Sequence, residues 1–114
     1  MFTIDSEYLW LYNHRMRAVS LFGEKRLVTN RNEKDFAVVE IKIWKVPKSE
    51  YYQEGRKFSL FLVYLGEVVI GIDNHKPKGP HLHLGNKKVP YDFKDEETLL
   101  VDFWDLVRKA GFEP

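Results

Sequence analysis

The sequence predicts an α+β fold in which an antiparallel β-meander of about five strands packs against one C-terminal amphipathic helix. Three observations support this prediction: alternating β-branched segments in the middle of the chain, short glycine turns between them, and a helical apolar pattern after Asp95. Runs of strands followed by a helix are typical of α+β domains rather than α/β domains. The length of 114 residues predicts a single domain, residues 1–114, with one core.

The first 30 residues have the weakest pattern. A short apolar block spans residues 8–12, and Gly23-Glu24 follows a second apolar group as a candidate turn. A strand–turn–strand and a short helix both fit, and the sequence leaves the two open. The start of the chain lacks the basic residues and long apolar run of a signal peptide, and no segment approaches the length of a membrane span. We therefore expect a soluble, cytoplasmic protein.

Three strands are predicted in the middle of the chain. Residues 36–46 alternate β-branched with polar side chains, and Pro47 ends the strand because proline cannot donate to a ladder. Residues 57–65 are apolar on both faces, which predicts a central strand. Gly66-Glu67 then predicts a type II′ turn into a strand over residues 68–72. The two-faced apolar strand also suggests a homo-oligomer in which an edge pairs with a second copy.

The last part of the chain predicts a hairpin and a helix. Residues 81–84 form a short strand, Gly85-Asn86 a turn, and residues 87–93 the partner strand. Asp95 fits a helix N-cap, with acidic residues in the first turn where the helix dipole favours them. Gly111 is placed to end the helix. The apolar positions at helical spacing are Leu99, Leu100, Phe103, Leu106 and Val107.

His81 and His83 are the candidate catalytic residues, together with Asp73. Residues two apart in a strand face the same way, so both imidazoles project from one face. Three interpretations stay open: acid–base catalysis on a phosphodiester, a metal site completed by Asp73 or His75, and a structural pair that only hydrogen-bonds to backbone or water. The chain has no cysteine, which excludes a disulfide framework, a cysteine zinc finger and a thiol nucleophile.

In the acid–base interpretation, one imidazole takes a proton from a ribose 2′-hydroxyl and the other protonates the leaving oxygen. No phosphate-binding glycine loop or dinucleotide fingerprint is present, so we expect no cofactor, and a ribonuclease of this kind would be metal-independent. Tyr91 fits either the core or the site. The candidate substrate-binding residues are Arg56, Lys76, Lys78, Lys87, Lys88 and Tyr91.

The order of motifs along the chain resembles the TumE-type family of small bacterial and archaeal toxins, which are encoded beside helix-turn-helix antitoxins. The resemblance covers residues 36–107. Its motifs are Ile43-Trp44-Lys45-Val46-Pro47, Asp73-Asn74, Gly79-Pro80-His81-Leu82-His83, Gly85, Pro90-Tyr91-Asp92-Phe93 and Leu99-Leu100-Val101-Asp102-Phe103. The chain departs from the family pattern at Gly71, Pro80 and Leu82, where the family often has a basic residue, an aspartate and an arginine.

The resemblance implies a toxin that inhibits growth by acting on RNA and that a cognate helix-turn-helix antitoxin holds in check. The alternative is a non-catalytic module whose basic loop, residues 76–80, and acidic helix contact a partner protein or a nucleic acid. A divergent member that has lost its activity is a third interpretation. The sequence leaves the choice between these classes open.

Overall fold

The structure is a computed structural model that describes residues 18–32, 34–75 and 79–114. Its elements in chain order are β1 (Val19–Asn30), β2 (Phe36–Lys45), β3 (Arg56–Tyr64), β4 (Glu67–Asp73), β5 (His81–Leu84), β6 (Lys87–Pro90), α1 (Glu96–Lys109) and β7 (Phe112–Glu113). The strands form one antiparallel sheet in the order β6-β5-β4-β3-β2-β1-β7. The α+β class is confirmed. The expected count of about five strands is wrong, because the described residues form seven.

The two strands absent from the prediction have no readable sequence pattern. Gly23-Glu24 is not a turn but lies inside β1, opposite Lys42 and Ile41 of β2. Most of β1 is exposed, so its side chains show no apolar alternation. β7 has two residues and pairs with the end of β1 at Thr29 and Asn30. A strand this short leaves no period to detect. The predicted features in residues 1–17 lie outside the described residues.

The core lies between the sheet and α1. Val39, Ile41 and Ile43 of β2 are fully buried, and their partners across the ladder are buried residues of β3. The helix contributes Leu99, Phe103 and Val107 to the same cluster. Burial of each large apolar side chain stabilises the fold by about 1.5–3 kcal/mol. β3 is the fourth of seven strands, so its predicted central position is confirmed.

The β3–β4 turn differs from the prediction. Tyr64 pairs with Glu67, so the two-residue loop is Leu65-Gly66 and not Gly66-Glu67. Leu65 and Gly66 have φ values of 52° and 78°. Positive φ at both positions defines a type I′ turn, which suits the twist of the strands and overturns the predicted type II′. The predicted Gly85-Asn86 turn is confirmed, since Leu84 pairs with Lys87.

The end of the second hairpin and the helix start are fixed by hydrogen bonds. β6 ends at Pro90 rather than at residue 93, and the Tyr91 amide donates to the Pro80 carbonyl at 3.1 Å. The Asp95 side chain accepts from the Thr98 amide at 2.6 Å, which confirms the predicted N-cap. Glu96 pairs with Arg56 at the start of β3. This ion pair joins the first turn of α1 to the sheet.

The register places the histidines on the face of the sheet away from α1. Ile72 lies between Leu60 and Leu82, on the side that packs against the helix. The next residue, Asp73, lies between Ser59 and His81 and therefore points to the other side. We call this second side the histidine face.

Across residues 18–32, 34–75 and 79–114, no helix has the length and apolar character needed for a bilayer span.

Candidate functional site

The carboxylate of Asp73 lies between the two imidazoles. Its Oδ1 is 3.0 Å from His81 Nε2, and its Oδ2 is 3.2 Å from His83 Nε2. The side chains are 14% exposed for Asp73, 11% for His81 and 17% for His83. The cluster is therefore largely shielded from water but still accessible. In such surroundings charge interactions are stronger than on an open surface.

Strand register brings these three side chains together. β4 and β5 are antiparallel neighbours in which Asp73 is opposite His81 and Gly71 is opposite His83. His81 and His83 share a face because they are two residues apart, whereas Leu82 points to the core side. The predicted same-face histidine pair is thus present in the structure. Its catalytic role stays a prediction.

Asn74 fixes the end of β4, directly after the shared carboxylate. Its side chain is fully buried, accepts from the Phe58 amide at 2.9 Å and donates to the Arg56 carbonyl at 2.6 Å. These bonds connect the end of β4 to the start of β3 beyond the last ladder pair. Asn74 therefore has a structural role, while Asp73 next to it is directed at the histidines.

His81 has an oxygen acceptor at each ring nitrogen. Nδ1 lies 2.8 Å from the Gly79 carbonyl oxygen, and Nε2 lies 3.0 Å from Asp73 Oδ1. A neutral imidazole has a single N–H and can donate to only one of these two oxygens. Both contacts are satisfied when His81 carries two protons, or when a cation occupies the position between Nε2 and the carboxylate.

His83 has a different environment. Its Nε2 faces Asp73, and its Nδ1 has no hydrogen bond to any described residue. The ring lies 4.6 Å from the His81 ring and 5.4 Å from the Phe61 ring, measured between centroids. The contact with Phe61 depends on Gly71, because a Cβ at that position would lie 2.3 Å from the Phe61 ring. Gly71 thereby leaves space for an apolar wall beside His83.

Lys88 is the predicted substrate-binding residue that register brings nearest to the pair. It is the cross-strand partner of His83 on β6, so the two side chains share the histidine face. A cavity of about 200 Å³ opens beside His81, with Pro80, Lys88 and Pro90 in its lining. An exposed ammonium group at the rim of a cavity suits contact with an anion.

Three other predicted residues are placed elsewhere. Arg56 pairs with Glu96 and donates to the Gly55 carbonyl, and Lys87 is opposite Leu84, on the core side of the ladder. Tyr91 donates its hydroxyl to Asp102 of α1 at 2.6 Å. Burial, and then this hydrogen bond, raise the pKa of the Tyr91 phenol above its ordinary value. Lys76 and Lys78 lie outside the described residues.

Phe61, Gly71 and the Gly79 carbonyl contribute to the site but were not predicted. The alternation in β3 does assign Phe61 to the face opposite Leu60. No pattern within one strand, however, reveals which residues of β4 and β5 lie across from it. The signal that could have found Gly71 is a glycine inside an otherwise β-branched strand, which often marks a close approach of neighbouring groups.

The arrangement is suited to two kinds of chemistry. Two imidazoles that share one carboxylate can hold different numbers of protons, as acid–base catalysis requires. The same three side chains offer metal-ligand atoms that all lie within 4.8 Å of one another. His75, the other predicted candidate ligand, is exposed and is not part of this group.

Comparison with known proteins agrees with the motif order. A family model described as Toxin TumE matches residues 10–110, which is most of the chain. No curated protein and no solved structure matches the sequence. The match includes all three residues of the cluster and the helix that packs beneath the sheet.

Proposed function

The chain belongs to the TumE toxin family, and from that premise we propose that it acts on RNA with the histidine pair as acid and base. Membership makes it the toxin component of a toxin–antitoxin pair, so its partner is an antitoxin. The substrate, the chemistry and the helix-turn-helix class of that antitoxin belong to the proposal. The observation that carries it is the single carboxylate of Asp73 in contact with both imidazoles.

The proposed reaction is an internal transfer of the phosphodiester. The Nδ1 of His83 takes the proton of a ribose 2′-hydroxyl, and the 2′-oxygen attacks the adjacent phosphorus. The bond from phosphorus to the 5′-oxygen breaks, and that oxygen takes a proton from His81. The products are a 2′,3′-cyclic phosphate and a 5′-hydroxyl, so atoms and protons balance without a co-reactant.

The different surroundings of the two rings support this division of roles. Asp73 accepts from His83 Nε2, which leaves the lone pair of Nδ1 for a substrate proton. Gly79 and Asp73 together offer an acceptor to each ring nitrogen of His81, so a doubly protonated His81, the form that can act as the acid, would have a partner for both N–H groups. Asp73 thus orients both rings, as carboxylates do in other histidine-based sites.

Lys88 completes the proposal as the phosphate contact. It is the cross-strand partner of His83 and lines the cavity beside His81. A charge-assisted contact with a phosphoryl oxygen is worth about 1.5–3 kcal/mol, which corresponds to roughly tenfold or more in rate. Lys87 extends from the other side of the ladder, so we expect its replacement by alanine to cost less than that of Lys88.

The test combines growth and RNA analysis. We expect tightly induced wild type to arrest growth, and purified protein to cleave RNA into fragments with 2′,3′-cyclic phosphate and 5′-hydroxyl ends. General acid–base catalysis contributes typically 10²–10⁴-fold, so His81→Ala and His83→Ala should each slow cleavage by at least about 10²-fold. His75→Ala is the matched control, because His75 is exposed and outside the cluster.

The outcomes separate the competing interpretations. Cleavage that leaves 3′-hydroxyl ends, or that persists on 2′-deoxy substrates, would rule out the proposed attack by the 2′-oxygen. Full activity of His83→Ala would remove that residue from the mechanism. Growth arrest without any RNA cleavage would favour the non-catalytic binding module, in which the basic loop and the acidic helix contact a partner.

A further inference from the structure

We propose that Asp73, His81 and His83 form a binding site for a divalent transition-metal ion such as Zn²⁺, and that the bound ion inhibits the toxin. The binding site stands on geometry alone. The inhibitory consequence rests on the proposed function, because the ion would occupy the nitrogen atoms that face Asp73.

The spacing of the three ligand groups fits a small metal ion. Tetrahedral zinc with bonds of about 2.0–2.1 Å to nitrogen and oxygen holds its ligand atoms about 3.3 Å apart. The separations between Asp73 oxygens and the Nε2 atoms are 3.0 Å for His81 and 3.2 Å for His83. Each imidazole contacts a different oxygen of Asp73, and the three ligand atoms lie within 4.8 Å of one another. Side-chain rotations that move these atoms by about an ångström would therefore bring them to the zinc spacing, with no change of strand register.

A second observation that supports the metal site is the contact made by the other ring nitrogen of His81. Its Nδ1 lies 2.8 Å from the Gly79 carbonyl oxygen. Metal-bound histidines almost always donate their other N–H to a carbonyl or carboxylate, which fixes the tautomer and directs the lone pair of the remaining nitrogen at the metal. With the proton on Nδ1, the lone pair of His81 Nε2 points at Asp73, where the ion would lie.

The choice of metal follows from the ligand types. Two imidazoles and one carboxylate suit zinc, copper, nickel or iron, whereas magnesium and calcium prefer oxygen ligands. Three protein ligands leave a coordination position open for water or an added anion. The ring of Phe61, 5.4 Å from that of His83, gives the site an apolar wall on one side.

Bound metal would block the proposed acid–base reaction. An ion on His81 Nε2 replaces the proton that the leaving oxygen requires, and it also draws Asp73 away from its contact with His83. Zinc would therefore inhibit the reaction by binding the catalytic side chains, and it would take no part in the cleavage step. RNA cleavage should fall in proportion to the fraction of protein that carries the ion.

The experiment measures metal binding and cleavage separately on the full chain. Zn²⁺ is titrated calorimetrically into wild type, Asp73→Asn, His83→Ala and His75→Ala, and Co²⁺ is used to record the visible spectrum of the bound ion. We expect one Zn²⁺ per chain for wild type and at least about tenfold weaker binding for Asp73→Asn and His83→Ala. His75→Ala should bind like wild type, and Zn²⁺ should raise the melting temperature of wild type by linkage.

The binding and cleavage results test the metal site and its inhibitory role separately. Equal loss of binding in His75→Ala and His83→Ala, or the absence of saturable binding by wild type, would overturn the site. Asp73→Asn keeps the shape of the side chain, so it tests the site if His83→Ala fails to fold. Stimulation of cleavage by Zn²⁺ would contradict the inhibitory role. Binding is read without RNA, so Zn²⁺ binding by a protein that cleaves no RNA supports the site while the proposed function fails.

Discussion

At the scale of single residues, we expect the replacement of Asn74 to lower the free energy of unfolding substantially, because its buried side chain bonds to two backbone groups. Asn74→Ala would leave the Phe58 amide and the Arg56 carbonyl without their buried partner. Unsatisfied buried groups of this kind cost about 1–3 kcal/mol each, so we expect a loss of about 2–4 kcal/mol in the free energy of unfolding. Urea denaturation measures it. Asn86→Ala, in an exposed turn, should change stability by no more than about 0.5 kcal/mol, and similar losses in both variants would contradict the assignment.

Residue by residue, the sequence predicts the direction of side chains better than their contacts. Period-2 alternation is enough to place His81 and His83 on one face, because it depends on a single strand. That Asp73 contacts both rings depends on the register between two strands. The role of Gly71 depends on a third strand, β3, because the absence of a side chain at Gly71 leaves room for the ring of Phe61. The family often has a basic residue at the position of Gly71, and in this chain such a side chain would collide with the ring of Phe61.

At the scale of the elements, the β3–β4 turn contains an unfavourable residue. Leu65 has a φ of 52° and is 83% exposed, so it adopts left-handed backbone without gaining much burial. Left-handed backbone costs an ordinary L-residue about 1–2 kcal/mol, and asparagine tolerates it better. We expect Leu65→Asn to raise the free energy of unfolding by about 0.5–1 kcal/mol, as measured by urea denaturation.

A second substitution in the same turn should act in the opposite direction. A Cβ at Gly66 would meet no atom within 4 Å, so Gly66→Ala tests the φ of 78° without a steric clash. We expect it to destabilise the chain by about 1 kcal/mol. A stabilising Gly66→Ala, or a destabilising Leu65→Asn, would mean that the turn is not of type I′.

Elements with a strong internal pattern were predictable, and those defined by their neighbours were not. The helix was predicted from its N-cap, its apolar spacing and Gly111, which has a φ of 97° just beyond the last turn. β2 and β3 were predicted because burial on one or both faces repeats along them. β1 is an exposed strand held by its ladder with β2, and Gly23 within it reads as a turn in isolation.

At the scale of the whole molecule, acid should destabilise the fold through the start of α1. The ion pair with Arg56 lowers the pKa of Glu96, and the hydrogen bond from the Thr98 amide lowers the pKa of Asp95. Both groups then bind fewer protons in the folded chain than in the unfolded chain. Their stabilising contribution is present above their ordinary pKa values of 4.5 and 3.8 and is lost as the pH falls through the lowered ones.

Thermal unfolding between pH 6 and pH 2 would measure this effect. We expect the melting temperature of wild type to fall below about pH 4.5. The double variant Asp95→Asn, Glu96→Gln should have a shallower slope there, because asparagine still caps the helix but neither position titrates. Parallel pH curves for the two proteins would show that other carboxylates control acid unfolding.

The position of the β5–β6 hairpin at one end of the sheet has a consequence for how the protein loses activity. β5 and β6 have four residues each and lie at one end of the strand order, and every residue of β6 is exposed. Stability is not uniform within a protein, and peripheral units can open while the core stays folded. Detachment of this hairpin would separate both rings from Asp73 and leave the ladder between β2 and β3 intact. Amide hydrogen exchange should therefore be faster in β5 and β6 than in β3, and we expect the site to open reversibly at temperatures at which β2 and β3 remain folded.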